Sequence, residues 1–163
     1  IEPRHIIQVP ESMPLRVALF QPDIPQNAGA ILRLCACFGV PLEVIEPCGF
    51  VWTDAKLRRA GMDYIASAHL TRHANWDAFR AARPERLVLA TTKGAVSAYQ
   101  FEYHTNDILL FGSEGAGVPI DVHNAAGARL RIPMRPEARS LNVAMSAGMI
   151  LAEALRATDG LPQ

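Results

Sequence analysis

No stretch of the sequence approaches the roughly 18 consecutive apolar residues that a membrane span requires, which excludes a helical membrane protein. The opening residues, IEPRHIIQVPESMP, lack the basic start and apolar centre of a secretory leader. Residues 1–15 read instead as a loose arm, trimmed at its start because no initiator Met is present. An excess of charge is missing too: sixteen Lys and Arg balance sixteen Asp and Glu. The molecule as a whole is therefore no polyanion binder, and any nucleic-acid site must be a local patch. Cysteine is scarce, three residues without disulfide-type spacing, which points to a reducing cytoplasm. Cys35 and Cys37 read as small buried apolar residues. With no repeat, low-complexity tract or linker, residues 16–158 are expected to form one domain with a sizeable core.

Several catalytic signatures are absent as well. In GSEGAG the glycines Gly112, Gly115 and Gly117 have the wrong spacing for a dinucleotide fingerprint, which in any case belongs after a first strand. No P-loop occurs. Ser113 is no nucleophile elbow, because Phe111 stands where G-x-S-x-G needs glycine. His69 and His73 are four apart on a possible helix, but Leu70 replaces the glutamate of H-E-x-x-H, so no metal is expected. Lys56, Arg58 and Arg59 cluster beside Trp52 and Tyr64, and Arg72, Arg80, Arg83 and Arg86 follow. Such runs are usually solvated faces.

What is present is an alternation of short apolar runs with helical patterns, the mark of βα units, a mainly parallel sheet and an α/β fold flanked by helices. Strands are predicted at RVALFQ (16–21), LEVIEP (42–47), RLVLATT (86–92), DILLFG (107–112) and ARLRIPM (128–134). Between them, Asn27 is placed to cap a helix that Gly39 ends, Thr53 one that Gly61 ends, and Asn75 one that runs up to Pro84. Pro119 suits the first turn of another, reaching about Ala126. The final helix starts near Ser140, a possible cap. Asn142, Ser146, Glu153 and Arg156 form its narrow polar stripe, and Met145, Met149, Ile150, Leu151 and Leu155 occupy much of the rest. So thin a wet face predicts burial on more than one side, against a second subunit or wholly within one chain.

Ligands of open parallel sheets bind beyond the carboxyl ends of the strands. Three such ends carry loops rich in small and polar residues: ATTKG (90–94), GSEGAGVP (112–119) and PMRPEARSLN (133–142). Together they predict one pocket on the rim.

Three segments, IPQNAGAILRLCACFG (24–39), FGSEGAGVP (111–119) and IPMRPEARSLNVAMSAGMILAEALR (132–156), resemble in order and spacing the three motifs of the SpoU branch of the SPOUT methyltransferases. IEPCGFVWTDAKLRRAGMDY (45–64) is most similar to the TrmL-type enzymes of that branch, which methylate the ribose 2′-OH of the wobble nucleotide, cytidine or uridine, in certain tRNAs. Two departures are Met145, where that group often has a second Asn, and the glycine content of GSEGAG. The resemblance implies a C-terminal trefoil knot, a homodimer in the cytoplasm, and S-adenosyl-L-methionine held largely by main-chain groups at Ala90, Gly112, Ile132, Ser140 and Leu141. It further implies that Arg33 assists loss of the hydroxyl's proton; because a guanidinium keeps its own proton, Arg33 is expected to bind a neighbouring phosphate and ease formation of the ribose alkoxide, with Glu114 orienting it and Asn27 and Asn142 ordering the same corner. Lys56, Arg58, Arg59 and Arg139 become the tRNA contacts. Two alternatives accompany this reading: 2′-O-methylation of another tRNA position or of ribosomal RNA, and a catalytically silent knotted RNA-binding module. Joint retention of Arg33, Glu114 and Asn142 argues against the silent module.

Overall fold

The computed structural model describes residues 14–163 except 52, 54, 56–68 and 95. Within them, β1 (Arg16–Phe20), β2 (Leu42–Ile45), β3 (Leu70–His73), β4 (Leu87–Ala90), β5 (Val96–Ser97), β6 (Ile108–Phe111) and β7 (Ala128–Arg131) make one sheet in the order β3-β2-β1-β6-β4-β7-β5. Every adjacent pair is parallel, β1 running in register beside β2 on one side and β6 on the other. Among the described residues four helices accompany it: α1 (Pro25–Phe38), α2 (Trp76–Ala82), α3 (Ile120–Ala125) and α4 (Val143–Ala157). None of the described helices is long and apolar enough to cross a membrane.

Alternation along the central strands explains how the sheet buries both faces. Val17, Leu19, Val88, Leu109 and Phe111 point to one side, where they pack with Ile31, Leu32 and Cys35 of α1 and with Ala147, Ile150, Leu151 and Ala154 of α4. Ala18, Phe20, Leu87, Leu89, Ile108 and Leu110 point to the other, against Phe79 of α2 and Val122 of α3. Each fully buried Leu or Ile contributes about 1.5–3 kcal/mol relative to exposure, so the two layers dominate the fold's stability.

The five predicted strands and the Asn75 cap are present, the latter accepting the Ala78 N–H at 2.8 Å. Most of the predicted helix from Thr53 to Gly61, the basic residues Lys56, Arg58 and Arg59, and most of the N-terminal arm lie outside the described residues. Other expectations are corrected. Helix α1 begins before Asn27, with Ile24 as N-cap and Pro25 at the first helical position, because proline has no N–H to leave unpaired there and its φ is already helical. Helix α4 is capped by Asn142, not Ser140; the Asn142 carboxamide oxygen takes both the Ala144 and Met145 N–H groups, at 2.8 and 3.3 Å. Cys37 is exposed, unlike Cys35. Strands β3 and β5 escaped the pattern because both are edge strands too short or too polar to alternate, and the former places His73 on a strand, not on a helix. Within one chain α4 is not buried on every side: Met145 and Met149 remain 63% and 38% exposed.

In the last third of the chain, strand β7 lies between β4 and β5, which precede it in sequence, with Ala90 and Val96 both level with Leu130. The Thr91 N–H donates to the Leu130 carbonyl at 2.9 Å, and a Cβ on Gly94 would come within 2.4 Å of the Leu130 carbonyl carbon. Glycine is required there by close approach of backbone to backbone.

Candidate functional site

The carboxyl ends of β4, β6 and β7 open onto a cleft of about 510 Å³. The three predicted loops supply its walls: Ala90, Thr91 and Thr92 after β4, Gly112, Ser113 and Glu114 after β6, and Ile132, Met134, Ser140 and Leu141 after β7. Leu89, Phe111, Leu130 and Ile150 form its apolar floor, while Asn27 and Asn142 close one end. All five residues expected to hold a cofactor therefore line a single cavity, together with Glu114 and Asn142.

The loop after β6 owes its shape to its glycines. Ser113 and Gly117 pair across a four-residue spacing, Ser113 N–H to Gly117 carbonyl at 3.0 Å and the reverse at 2.8 Å. Gly117 takes φ +64°, and a Cβ on Gly112 would stand 2.7 Å from the Gly117 carbonyl carbon. The loop is thus a tight clasp that presents backbone to the cleft, and the bland role of glycine in turning a corner and its role in close approach coincide.

A chain of polar contacts joins the three motif segments at the end of the cleft. Glu114 accepts the Asp23 backbone N–H at 2.7 Å and the Asn27 carboxamide N–H at 3.4 Å. Asn142 in turn donates to the Asn27 oxygen at 3.0 Å. Asp23 accepts the Ser113 hydroxyl and the Gly115 N–H, the latter at 3.4 Å. Sequence reasoning missed Asp23, although an acidic side chain in the turn between a first strand and its helix was a readable signal. It named Asn27 and Asn142 for this corner, and the hydrogen bonds show them side by side.

Arg33 is placed differently. It lies on the exposed side of α1, further along the helix than the cleft end, and is not among the cleft-lining residues of its own chain. Arg139 is exposed on the loop between β7 and α4, adjoining Ser140 in the cleft wall, and has no hydrogen-bond or ion-pair partner among the described residues. The other arginines of the basic run are engaged internally. Arg72 pairs with Glu46, and Arg83 with the buried Glu43, which also meets Arg16 at 3.2 Å and His73 at 3.3 Å. Arg80 donates to the Arg83 and Glu85 carbonyls at the end of α2, and Arg86 forks onto Asp107 with two bonds of 2.7 Å.

The sequence profile of the SpoU rRNA methylase family matches residues 14–152. A curated relative from Beijerinckia indica, named tRNA (cytidine(34)-2'-O)-methyltransferase, is 53% identical over 148 residues, which are 89% of this chain and 92% of that protein. A solved structure described as giving insights into 2-OH methylation of C/U34 on tRNA superposes with a TM-score of 0.83 at 40% identity, covering 88% of this chain and 95% of that one. An AdoMet-bound rRNA methyltransferase from Sinorhizobium meliloti superposes with a TM-score of 0.80 at 29% identity, over 88% of this chain and 56% of the other.

Proposed function

Because the chain belongs to the SpoU rRNA methylase family, we propose that it transfers a methyl group from S-adenosylmethionine to the ribose 2′-OH of the wobble nucleotide, cytidine or uridine, of tRNA in the cytoplasm. The observation that carries this reading is the single cleft in which all three motif segments meet, tied together by the bonds among Glu114, Asn27 and Asn142.

The residues present suit the cofactor. Adenine is flat and uncharged, so apolar walls with a few backbone donors and acceptors match it, and the close approach at Gly112 leaves main chain rather than side chain facing the cavity. Ala90, Gly112, Ile132, Ser140 and Leu141 are the residues we assign to hold it. When bound, S-adenosylmethionine supplies a methyl group already activated by its sulfonium. The protein's tasks are then to place the hydroxyl in line and to ease loss of its proton.

Arg33 is assigned to the second task. A guanidinium keeps its proton at any ordinary pH, so it is no general base. It binds the phosphate beside the target ribose and offsets the charge of the forming alkoxide, while that phosphate or water takes the proton. Its position on the outer side of α1 suits this task in a homodimer. Ala30, Arg33 and Cys37 of α1 and Met145, Met149 and Ala152 of α4 leave exposed faces on two helices that pack on the same side of the sheet. Pairing two copies through them covers the methionines and carries Arg33 toward the other copy's cleft. Glu114, Asn27 and Asn142 hold the cleft end in shape. Lys56, Arg58, Arg59 and Arg139 contact the tRNA backbone. The passage of β7 between β4 and β5, with Gly94 pressed on Leu130, supports a C-terminal trefoil knot that fixes the loops around the cofactor.

Incubation with labelled cofactor and total tRNA, followed by nucleoside analysis, tests the reading. Label on the wobble ribose is expected; label on a base, or none, contradicts it.

A further inference from the structure

A second cavity, about 440 Å³, opens beside the cofactor cleft and shares Ser113, Gly117 and Val118 with it. A group seated there is one loop's thickness from the methyl donor. Pro47 and Pro119 contribute flat apolar surface, and Gly49 leaves backbone exposed. Such walls accept the face of a planar ring without regard to its identity.

Gln21 also lines this cavity, and three observations single it out. It sits immediately after β1, at the carboxyl edge of the sheet, with φ +45°, a left-handed conformation that residues other than glycine rarely adopt. Its backbone N–H is fixed to the Ile45 carbonyl at 2.9 Å, so the turn is anchored by the neighbouring strand. The residue is half-buried, and its carboxamide has no hydrogen-bond partner among the described residues. The nearby Asp23 carboxylate, by contrast, is taken by Ser113 and Gly115. An amide held in an unusual backbone conformation, with both its donor and its acceptor free, is arranged for something outside the chain.

Building on the wobble-methylation reading, we propose that this cavity receives the target pyrimidine and that Gln21 reads its Watson–Crick edge. Cytosine presents an amino donor beside a ring-nitrogen acceptor; uracil presents a carbonyl acceptor beside an N–H donor. A carboxamide satisfies either pair, because rotation by half a turn exchanges its oxygen and nitrogen. One residue thereby admits both pyrimidines. A carboxylate in its place keeps a bond to the exocyclic amino group of cytosine, but at uracil it faces a lone N–H flanked by two carbonyl oxygens that repel it.

The test uses the intact enzyme, labelled cofactor and total tRNA from cells lacking the corresponding gene, and compares initial rates of labelled 2′-O-methylcytidine and 2′-O-methyluridine formation. Gln21→Glu is expected to raise the cytidine-to-uridine ratio about tenfold. Gln21→Met, similar in length but without hydrogen-bonding groups, is expected to slow both at least tenfold with cofactor affinity by calorimetry within twofold of wild type. A ratio that moves less than threefold in Gln21→Glu overturns the assignment, as do wild-type rates in Gln21→Met. Should Gln21→Glu fail to bind cofactor, the rates of Gln21→Met decide the assignment. If wild type itself labels neither nucleoside, the methyltransferase reading fails and this assignment with it, whereas labelling by wild type with unchanged selectivity in the variants refutes Gln21 alone.

Discussion

Asn142 donates its carboxamide hydrogen to the Asn27 oxygen at 3.0 Å, bridging residues 115 apart in the chain. The same side chain, through its oxygen, caps α4. One amide therefore fixes where the last helix begins and locks that start to the first helix, and Asn27 passes the connection on to Glu114. Asn142→Ala removes both functions. Loss of the cap costs about 1 kcal/mol, a fall in Tm of roughly 2–4 °C for a domain of this size. Turnover is expected to fall at least tenfold as the cleft end loosens. Asn142→Ser separates the two effects: its hydroxyl restores the cap and the Tm but is too short to reach Asn27, so turnover stays low. Thermal melts and labelled-methyl incorporation on the three proteins check this, and full activity in the Ser variant would remove the Asn27 link from the mechanism.

Arg33→Lys keeps the charge but loses the planar fork that grips a phosphate. Since the role assigned to Arg33 is on the substrate's phosphate and forming alkoxide and not on the cofactor, cofactor affinity should be unchanged. The turnover number is expected to drop by about two to three orders of magnitude, the scale of losing a donor aimed at developing negative charge. Mixing this variant with a Gly112→Ala variant, whose added Cβ disrupts the cofactor loop, adds a test of the dimer. Mixed dimers that pair an intact cleft with an intact Arg33 from the other copy should recover activity that neither variant has alone.

Much of this is readable from the amino-acid order alone. Strong β-runs buried on both faces identify the five central strands, and three small-residue loops after them locate the cleft. What the pattern does not show is competition between local signals. Asn27, Ser140 and Asn142 are all good caps, and only tertiary partners decide among them: Pro25 moves the start of α1 forward, freeing Asn27 to meet Glu114 and Asn142. The same holds for charge. Arg72, Arg80, Arg83 and Arg86 look like a basic run in sequence, yet each is spent on a particular carboxylate or carbonyl. Periodicity on α4 correctly gives its inner face, while the exposure of Met145 and Met149 depends on which neighbours are present.

Cys48, in the wall of the second cavity, offers a probe of that environment. Burial, with the nearby Glu46 carboxylate adding to it, pushes its thiol up from 9.0 to about 11. The thiolate is the reactive form, so alkylation at pH 8 should run about a hundredfold slower than at an ordinary thiol. The rate should climb about tenfold per pH unit from 8 to 10 without levelling at 9. The sign for stability follows: the folded chain holds this proton more tightly, so its contribution is complete below pH 9.0 and is lost as pH rises through about 11. Mass spectrometry of iodoacetamide-treated protein across this range checks the labelling, and a plateau near pH 9 would show the thiol to be open to water.

Arg139 carries the clearest electrostatic expectation. It stands on the loop that forms one wall of the cleft, exposed and without a partner among the described residues, so its charge is available to a polyanion. The chain has no net charge to attract tRNA from a distance, and binding must rest on a few such contacts. Each phosphate contact releases condensed counterions, which makes affinity fall with salt in proportion to the number of contacts. Arg139→Ala should therefore weaken binding of all tRNAs alike and reduce the slope of log affinity against log salt by about one. Arg80→Ala is the matching control. Arg80 is also basic, but its guanidinium ties together the Arg83 and Glu85 carbonyls at the end of α2, so its removal should lower Tm and leave the salt slope unchanged. Fluorescence-anisotropy titrations at several salt concentrations distinguish the two; equal slopes for wild type and Arg139→Ala would mean that this loop does not touch the phosphate backbone.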